Sequence, residues 1–538
     1  MTSRANLIDR LNGLLSAWPR LAALALGLLA ATGFQPLGLW PLALIAMGLL
    51  AMLVAQAGKP RSAFVLGWLF GVAHFTLGNN WIAKSFTYQA EMPAVLGWAA
   101  VPLLALYLAI YPGLGALAAR LIGRKGFGWA FVLVFAACWI VSEWLRSWVF
   151  TGYSWNPFGM VLLGPFDRPG LAAVAPVMGT YALSGLAALL GAALVLLARE
   201  RNWWTGGALA ALLLAGMYLP AATSSPGAGE GSLHVTIAQP AIPQEAISDS
   251  RFFEANYARL AQLSPRLDQG EAPRLVLWPE AGMADYLRDG YPQRYYDHTT
   301  ALGSPEYARR RLGATVGDSS VLLTGGVDLE IGRDDAGVLR AVGARNAVTA
   351  LNRQGQIIGS YAKAHLVPYG EYLPMRELLE PLGLSRLVAG SIDFWPGPGP
   401  RTLDLGQFGR VGVQVCYEIA FSGQVVDRGD RPDFVFNPSS EAWFGGFAAP
   451  QFLAQSRMRA IEEGLPVLRA TNSGISAVID ARGVVREHLD KHDRARIDAI
   501  VPPAAPPTLF ARAGNMLALG WALVFLLAGL VAMRRQGS

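Results

Sequence analysis

The chain has 538 residues, 53% hydrophobic and only 15% charged, with a mean hydropathy of +0.34, which excludes an ordinary soluble protein. A net charge of +6 and a pI near 9.3 do not point to nucleic acid. Many of the basic residues sit in short loops between apolar segments, where a membrane protein needs them.

Taken in order, eight apolar segments are predicted spans: about 21–34, 39–57, 63–82, 95–118, 128–148, 172–198, 204–220 and 514–533. A crossing needs roughly 20 apolar residues. The first segment is short, and "TGFQPLGLWP" with Pro36 makes a hairpin of the first two. Trp203, Trp204 and Tyr218 bracket the short seventh as interfacial anchors. More apolar segments follow the first at once, which argues against a cleaved signal peptide.

Loop charge sets the orientation. Arg4, Arg10 and Arg20 precede the first span; Lys59 and Arg61 follow the second; Arg120, Arg124 and Lys125 follow the fourth; Arg199 and Arg201 follow the sixth; Arg534 and Arg535 follow the eighth. With alternating spans all of these share one side, the cytoplasmic one, as do both termini. The expected division is 1–220 (seven spans), 221–513 (a domain outside the inner membrane, in the periplasm) and 514–538 (the last span and a cytoplasmic tail). Residues 221–231, "AATSSPGAGEG", read as a flexible linker.

Within 221–513, β-branched apolar runs at 233–239, 274–280, 320–329, 346–352, 409–418, 433–439, 466–472 and 475–480 read as strands. Amphipathic stretches at 250–265, 292–312 and 449–463 read as helices, with Gly464 as a C-cap of the last. Strands alternating with helices indicate an α/β domain. The apolar, Pro- and Gly-rich stretch 372–400 reads equally as a mobile lid or membrane-touching arm and as a packed excursion of the core.

Three polar sites stand out in that domain. Glu280 follows the apolar run and "WP", at the strand edge where α/β domains place reactive groups. Lys363, in "YAKAHLVPYGE", supplies an amine that can stabilise an oxyanion and favour a nearby thiolate. Cys416 ends "RVGVQVC" and precedes "YEIAF"; a helix starting there would lower its pKa. Only one other cysteine exists, Cys138, placed inside the bilayer, so Cys416 is an unpaired thiol in an oxidising compartment. A lone cysteine is ordinarily a small buried hydrophobe, and the carboxylate and amine upstream argue for more: acyl transfer through a thioester. His365 between Ala364 and Leu366 reads as structural, and the six His and two Cys show no metal-ligand spacing. No cofactor is expected.

Residues 233–500 resemble the nitrilase (carbon–nitrogen hydrolase) superfamily, and the whole chain resembles the apolipoprotein N-acyltransferase family. The carriers are "GFQPLGLWPL" (33–42), "SEWLRSWVFTGYSW" (142–155), "LWPEAG" (277–282), "YAKAHLVPYGEYLP" (361–374), "VCYEIAF" (415–421), "EAWFG" (441–445) and "RMRAIEEGLPVLRATNSGISAVID" (457–480). One departure is Ser440-Glu441, where the family often has Asn-Asp before "AWFG". The resemblance implies a helical transmembrane bundle carrying a nitrilase-like αββα sandwich. It implies Glu280 as general base, Lys363 as oxyanion stabiliser and Cys416 as nucleophile, with Glu371 as an accessory acid. Tyr417, Glu418 and Trp443 would line the pocket. The implied donor is a membrane phospholipid, and the acceptor is the α-amino group of a diacylglyceryl-cysteine apolipoprotein. The enzyme would act as a monomer among membrane lipids. The competing expectations are a membrane-tethered amidase or nitrilase using water, and a transporter or lipid-binding protein with a periplasmic sensor domain. Intramembrane Glu143 and Arg146 bear on the latter. Arg146 could instead face lipid headgroups or serve structure alone.

Overall fold

The computed structural model describes residues 13, 17–88, 93–123, 126–219, 231–267, 270–333, 336–382 and 392–535. Arg4, Arg10, Arg124, Lys125, nearly all of the linker 221–231 and part of the stretch 372–400 lie outside them. The chain divides into two compact units. One comprises Met1–Ala83, Val95–Ala222 and Pro507–Ser538; the other comprises Lys84–Ala94 and Thr223–Pro506.

The first unit is helical: α1 (Pro19–Ala31), α2 (Trp40–Gln56), α3 (Pro60–Gly78), α4 (Leu96–Leu108), α5 (Ile110–Ile122), α6 (Trp129–Arg146), α7 (Ala175–Arg199), α8 (Trp203–Tyr218) and the C-terminal helix Met516–Arg535. Among the described residues, four stretches are long and apolar enough to cross a membrane: Leu96–Ile122, Trp129–Arg146, Leu171–Arg199 and Met516–Arg535. Pro19–Ala31, Trp40–Gln56 and Trp203–Tyr218 are apolar but shorter. Helices α2 and α7 approach so closely that a Cβ on Gly48 would stand 2.2 Å from the Gly191 carbonyl oxygen, and one on Gly191 2.1 Å from that of Leu44. Small residues at helix contacts are how apolar helices gain packing without water to drive them together. Arg120 donates through Nε to the Ala57 carbonyl just past α2 at 2.9 Å, a favourable site for a cation.

The second unit holds two six-stranded sheets. Their orders are β12-β1-β2-β3-β4-β5 and β11-β10-β9-β8-β7-β6, with β1 His234–Gln239, β2 Arg274–Leu277, β3 Ser320–Arg333, β4 Leu339–Leu351, β5 Ile357–Ala362, β6 Thr402–Asp404, β7 Arg410–Val413, β8 Phe434–Ser439, β9 Val467–Thr471, β10 Ala477–Ile479, β11 Val485–His488 and β12 Ala495–Ile500. In each sheet three central strands run parallel, β1–β2–β3 and β7–β8–β9, and antiparallel strands flank them. Central parallel strands are buried on both faces, so they read as apolar runs without alternation. Thr236, Val276, Leu322 and Leu351 are in register across the first sheet. Ala238, Val276, Leu322 and Leu351 pack against Leu260 of α9 (Phe253–Gln262) and Leu312 and Val316 of α11 (Pro305–Val316). The amphipathic stretch 292–312 is two helices, α10 (Gln293–Thr299) and α11, broken at Ser304, whose side chain caps α11 by accepting from the Tyr307 amide. Helix α12 (Ala448–Glu463) packs on β9 and β10 and ends at Gly464 with φ +66°. The sheets meet through Gln239, whose Oε1 accepts from Thr471 Oγ1 and the Ser476 amide, both at 3.0 Å.

Four strands were not anticipated: β5, β6, β11 and β12. β11 is charged and largely exposed, and β12, "ARIDAI", breaks its apolar residues with Arg496 and Asp498, so neither reads as an apolar run.

Candidate active site

The three singled-out residues arise just beyond strand ends. Glu280 lies three residues past β2, Lys363 directly follows β5, and Cys416 lies three residues past β7. The carboxyl ends of parallel strands in α/β sheets are where side chains can converge without breaking the ladder.

Glu280 is buried at 8% exposure. Its Oε1 accepts from Asn346 Nδ2 at 2.6 Å and its Oε2 from the Ser440 amide at 2.8 Å. Gly325 of β3 lies beneath it; a Cβ there would stand 2.7 Å from the Glu280 Cα. Lys363 is 1% exposed, with Nζ 3.0 Å from the Glu371 carboxylate and 3.7 Å from Glu280 Oε1. Glu371 also accepts from Asn346 Nδ2 at 3.0 Å and from the Val367 amide at 2.8 Å. Burial works against the Lys363 charge, but Glu371, Glu280 and the Cys416 sulfur outweigh it and hold its pKa above the ordinary range.

Cys416 is 2% exposed, has φ +51° and opens a single 3-10 turn, Cys416–Ala420. The left-handed backbone at a non-glycine residue is a strained conformation of the sort that clusters at functional sites. Here the sequence-based expectation is corrected. β7 stops at Val413, and a five-residue 3-10 turn replaces the helix start. The thiol is not lowered. Burial first, and the Glu280 carboxylate second, push it up to about 12, with Lys363 and the Ser439 hydroxyl opposing. Cys416 and Cys138 are both free.

Glu418 ties the two halves of the site together. Its Oε1 accepts from Tyr361 Oη at 2.9 Å, the Ala364 amide at 2.7 Å and the His365 amide at 3.1 Å; its Oε2 accepts from the Val415 amide at 2.8 Å. One carboxylate thereby fixes the loop bearing Lys363 against the turn bearing Cys416. Burial pushes its pKa up to about 7, with the His365 and Val415 amides opposing. Tyr417 packs edge-on against Phe421 at 5.0 Å, and His365 stacks on that ring at 4.2 Å. Trp443 stacks on Phe444 at 4.3 Å and donates to the Ser440 carbonyl at 2.9 Å. Ser85 and Tyr88 donate to the Trp443 and Ala442 carbonyls at 3.2 and 3.4 Å.

Sequence reasoning did not single out Asn346, Ser439 or Arg469. Asn346 had one available signal, an amide inside the apolar run 346–352. The Ser440-Glu441 departure has a structural account. Ser440 meets Glu280 through its backbone, which any residue supplies, and Glu441 pairs with buried Arg469.

A model of the apolipoprotein N-acyltransferase N-terminal domain matches residues 26–193, and the carbon–nitrogen hydrolase model matches 235–496. The proteins named apolipoprotein N-acyltransferase from Rhodopseudomonas palustris and Allorhizobium ampelinum are similar to the chain. The first is 32% identical, covering 100% of this chain and 99% of its own length; the second is 33% identical, covering 88% of each. Two halves matched in the same order as in full-length relatives leave one assignment: the chain belongs to the apolipoprotein N-acyltransferase family.

Proposed function

We propose that this chain transfers an acyl group from a membrane phospholipid, by way of a Cys416 thioester, to the α-amino group of an apolipoprotein's N-terminal diacylglyceryl-cysteine. The observation that carries the reading is the buried meeting of Lys363 Nζ with Glu280 at 3.7 Å and Glu371 at 3.0 Å, in electrostatic reach of the Cys416 sulfur. A thiol held near 12 is a poor nucleophile until a base removes its proton. Glu280 takes that proton as sulfur attacks the ester carbonyl. Lys363, kept an ammonium by its two carboxylates, stabilises the oxyanion. Glu280 then returns the proton to the departing lysophospholipid oxygen. In the second half the acceptor amine attacks the thioester, Glu280 receives its proton, and sulfur leaves to be reprotonated. An α-amino pKa near 7.7–8.0 leaves a usable neutral fraction at neutral pH.

Both substrates are bilayer lipids, which fits a chain whose helices bracket the second unit in sequence. We read eight apolar helical segments as eight spans of the bacterial inner membrane, with both termini cytoplasmic and 221–513 periplasmic. Lys59, Arg61, Arg120, Arg199, Arg201, Arg534 and Arg535 then share the cytoplasmic side. The test is mass spectrometry of protein purified from membranes. An acyl adduct on Cys416 that is absent in Glu280→Gln, with N-acylated lipopeptide as product, supports the reading. Free fatty acid as the only product turns it into a hydrolase, and full activity of Cys416→Ala sinks it.

A further inference from the structure

Ser439 ends β8 with its side chain beside the sulfur. Its Oγ lies 3.4 Å from Cys416 Sγ and 3.1 Å from Glu441 Oε1. Ser439, Glu441 and Cys416 are 0, 1 and 2% exposed, so bulk water is not the ready alternative partner it would be at a surface. The hydroxyl has one proton and two acceptors in reach. Glu441 is itself anchored by the Arg469 guanidinium, which is fully buried and also donates to Asn437 Oδ1. Asn437 in turn donates to the Gln414 carbonyl at 2.5 Å, just before the cysteine turn. The two acceptors around the hydroxyl are thus held in place, and its own rotation about Cβ–Oγ is the cheapest motion available.

We propose that Ser439 is a switchable hydrogen-bond donor to the nucleophile, pointing at Glu441 while sulfur is a thiol or thioester and turning to sulfur when it is a thiolate. In the resting state the thiol donates to Oγ and the hydroxyl donates to Glu441, so each proton has an acceptor. When Glu280 removes the thiol proton, sulfur becomes a charged acceptor. The hydroxyl rotates to it, while Glu441 keeps Arg469 as its charge partner. When the thioester forms, sulfur is a poor acceptor and the hydroxyl swings back. Ser439 neither gains nor loses a proton: the thiol proton ends on Glu280. A donor engaged only while sulfur is charged lowers the barrier rather than stabilising the resting enzyme. Hydrogen bonds to charged groups are the stronger class.

The inference rests on Cys416 being the nucleophile of the proposed function, and its test needs no lipid substrate. Full-length protein in detergent is treated with iodoacetamide across a pH series, and carbamidomethylation of the Cys416 peptide is timed by mass spectrometry. Ser439→Thr and Ser439→Val have the same shape and differ in the hydroxyl, so any folding cost common to both cancels in their comparison. Ser439→Thr should follow the native profile. Ser439→Val should react roughly tenfold more slowly than Ser439→Thr at each pH from neutral to mildly alkaline. Coincident profiles for the two variants, or a native profile for Ser439→Val, overturn the proposal. Full acyl transfer by Cys416→Ala would overturn the thioester reading instead, and would leave the alkylation comparison standing.

Discussion

Asn346 Nδ2 donates to Glu280 Oε1 at 2.6 Å while lying 3.0 Å from Glu371 Oε1. A single amide thereby spaces two buried carboxylates around the one ammonium of Lys363. Two carboxylates and one ammonium leave a net negative charge, which the amide dipole offsets without adding a titrating group.

Replacing that amide by a carboxylate reverses the balance. Asn346→Asp places a third acid beside Glu280 with no added cation. Acyl-enzyme formation in single turnover should fall by about a hundredfold or more, in line with losing a general base. Asn346→Ala, which removes the donor and adds no charge, should lose less. Equal losses would mean that spacing, not charge, is the contribution of Asn346.

Glu371 tests the lysine. It is the nearest of the charges that hold the Lys363 pKa up against burial. In Glu371→Gln one of those charges is gone, and burial pulls the ammonium pKa down. Native activity should hold across the alkaline range in which Lys363 stays charged. The variant's kcat/KM should instead fall as pH rises, with the loss beginning at lower pH than in the native protein. Parallel profiles would separate Glu371 from the lysine's charge.

How much of this was legible before the structure depends on the residue. Lys363 could be read only as an amine in a polar stretch, its strand β5 being largely unburied, whereas Glu280 and Cys416 each follow an apolar run that ends abruptly. Apolar runs of this kind are what parallel strands buried on both faces produce. Glu418 was visible only through family resemblance, since its task is to accept backbone donors from a loop more than 50 residues away in sequence. Asn346 sits on a strand that neighbours the site only after β3, β4 and β5 pair antiparallel. The thiol's high pKa could not be read either, because burial depends on packing across both sheets, while the sequence showed only a plausible helix start.

Gly325 offers a steric probe of Glu280 as the proposed base. A methyl group at this position meets the Glu280 Cα at 2.7 Å and the Pro279 carbonyl oxygen at 2.8 Å, distances that require backbone movement. Gly325→Ala should cost about a hundredfold in acyl-enzyme formation, the scale of a 1 Å misplacement. The same clash should lower its thermal stability, so the rates are compared in protein shown to be folded at the assay temperature. A fully active variant would show that Glu280 tolerates displacement.

Glu463, at the end of α12, links pH to stability. Burial, then the neighbouring Glu462, push its carboxyl from 4.5 up to about 7, with Arg459, Arg428 and Arg431 opposing. Between those values the folded chain holds a proton that the unfolded chain has released. Its stabilising contribution is therefore complete below about pH 4.5 and is lost as pH rises through about 7. Glu463→Gln stays neutral throughout. It should match the native protein near pH 4 and exceed it by roughly 2–3 kcal/mol above pH 8. Thermal unfolding at the two pH values checks this, and an unchanged difference would place the shift elsewhere.

Arg146 decides between lipid contact and internal structure. It is 2% exposed, its Nη1 donates to the Tyr153 and Trp155 carbonyls at 2.7 and 3.0 Å, and its guanidinium lies 5.1 Å from the Phe75 ring centre. Glu143, one turn earlier on α6, accepts from the Phe158 amide at 2.9 Å and from Trp139 Nε1 at 3.2 Å. The two side chains therefore fasten the irregular segment 147–163 to α6 by hydrogen-bonding its backbone groups. A headgroup ligand would need a guanidinium facing outward, and this one is spent on carbonyls. Arg146→Ala should lower stability by about 3–5 kcal/mol, the cost of breaking a buried charged network. In protein that remains folded, KM for phospholipid should be unchanged. Arg146→Lys keeps the charge but is shorter and lacks the flat guanidinium that lies over Phe75, and should recover only part of the loss. A raised KM with native thermal stability would instead assign Arg146 to the lipid.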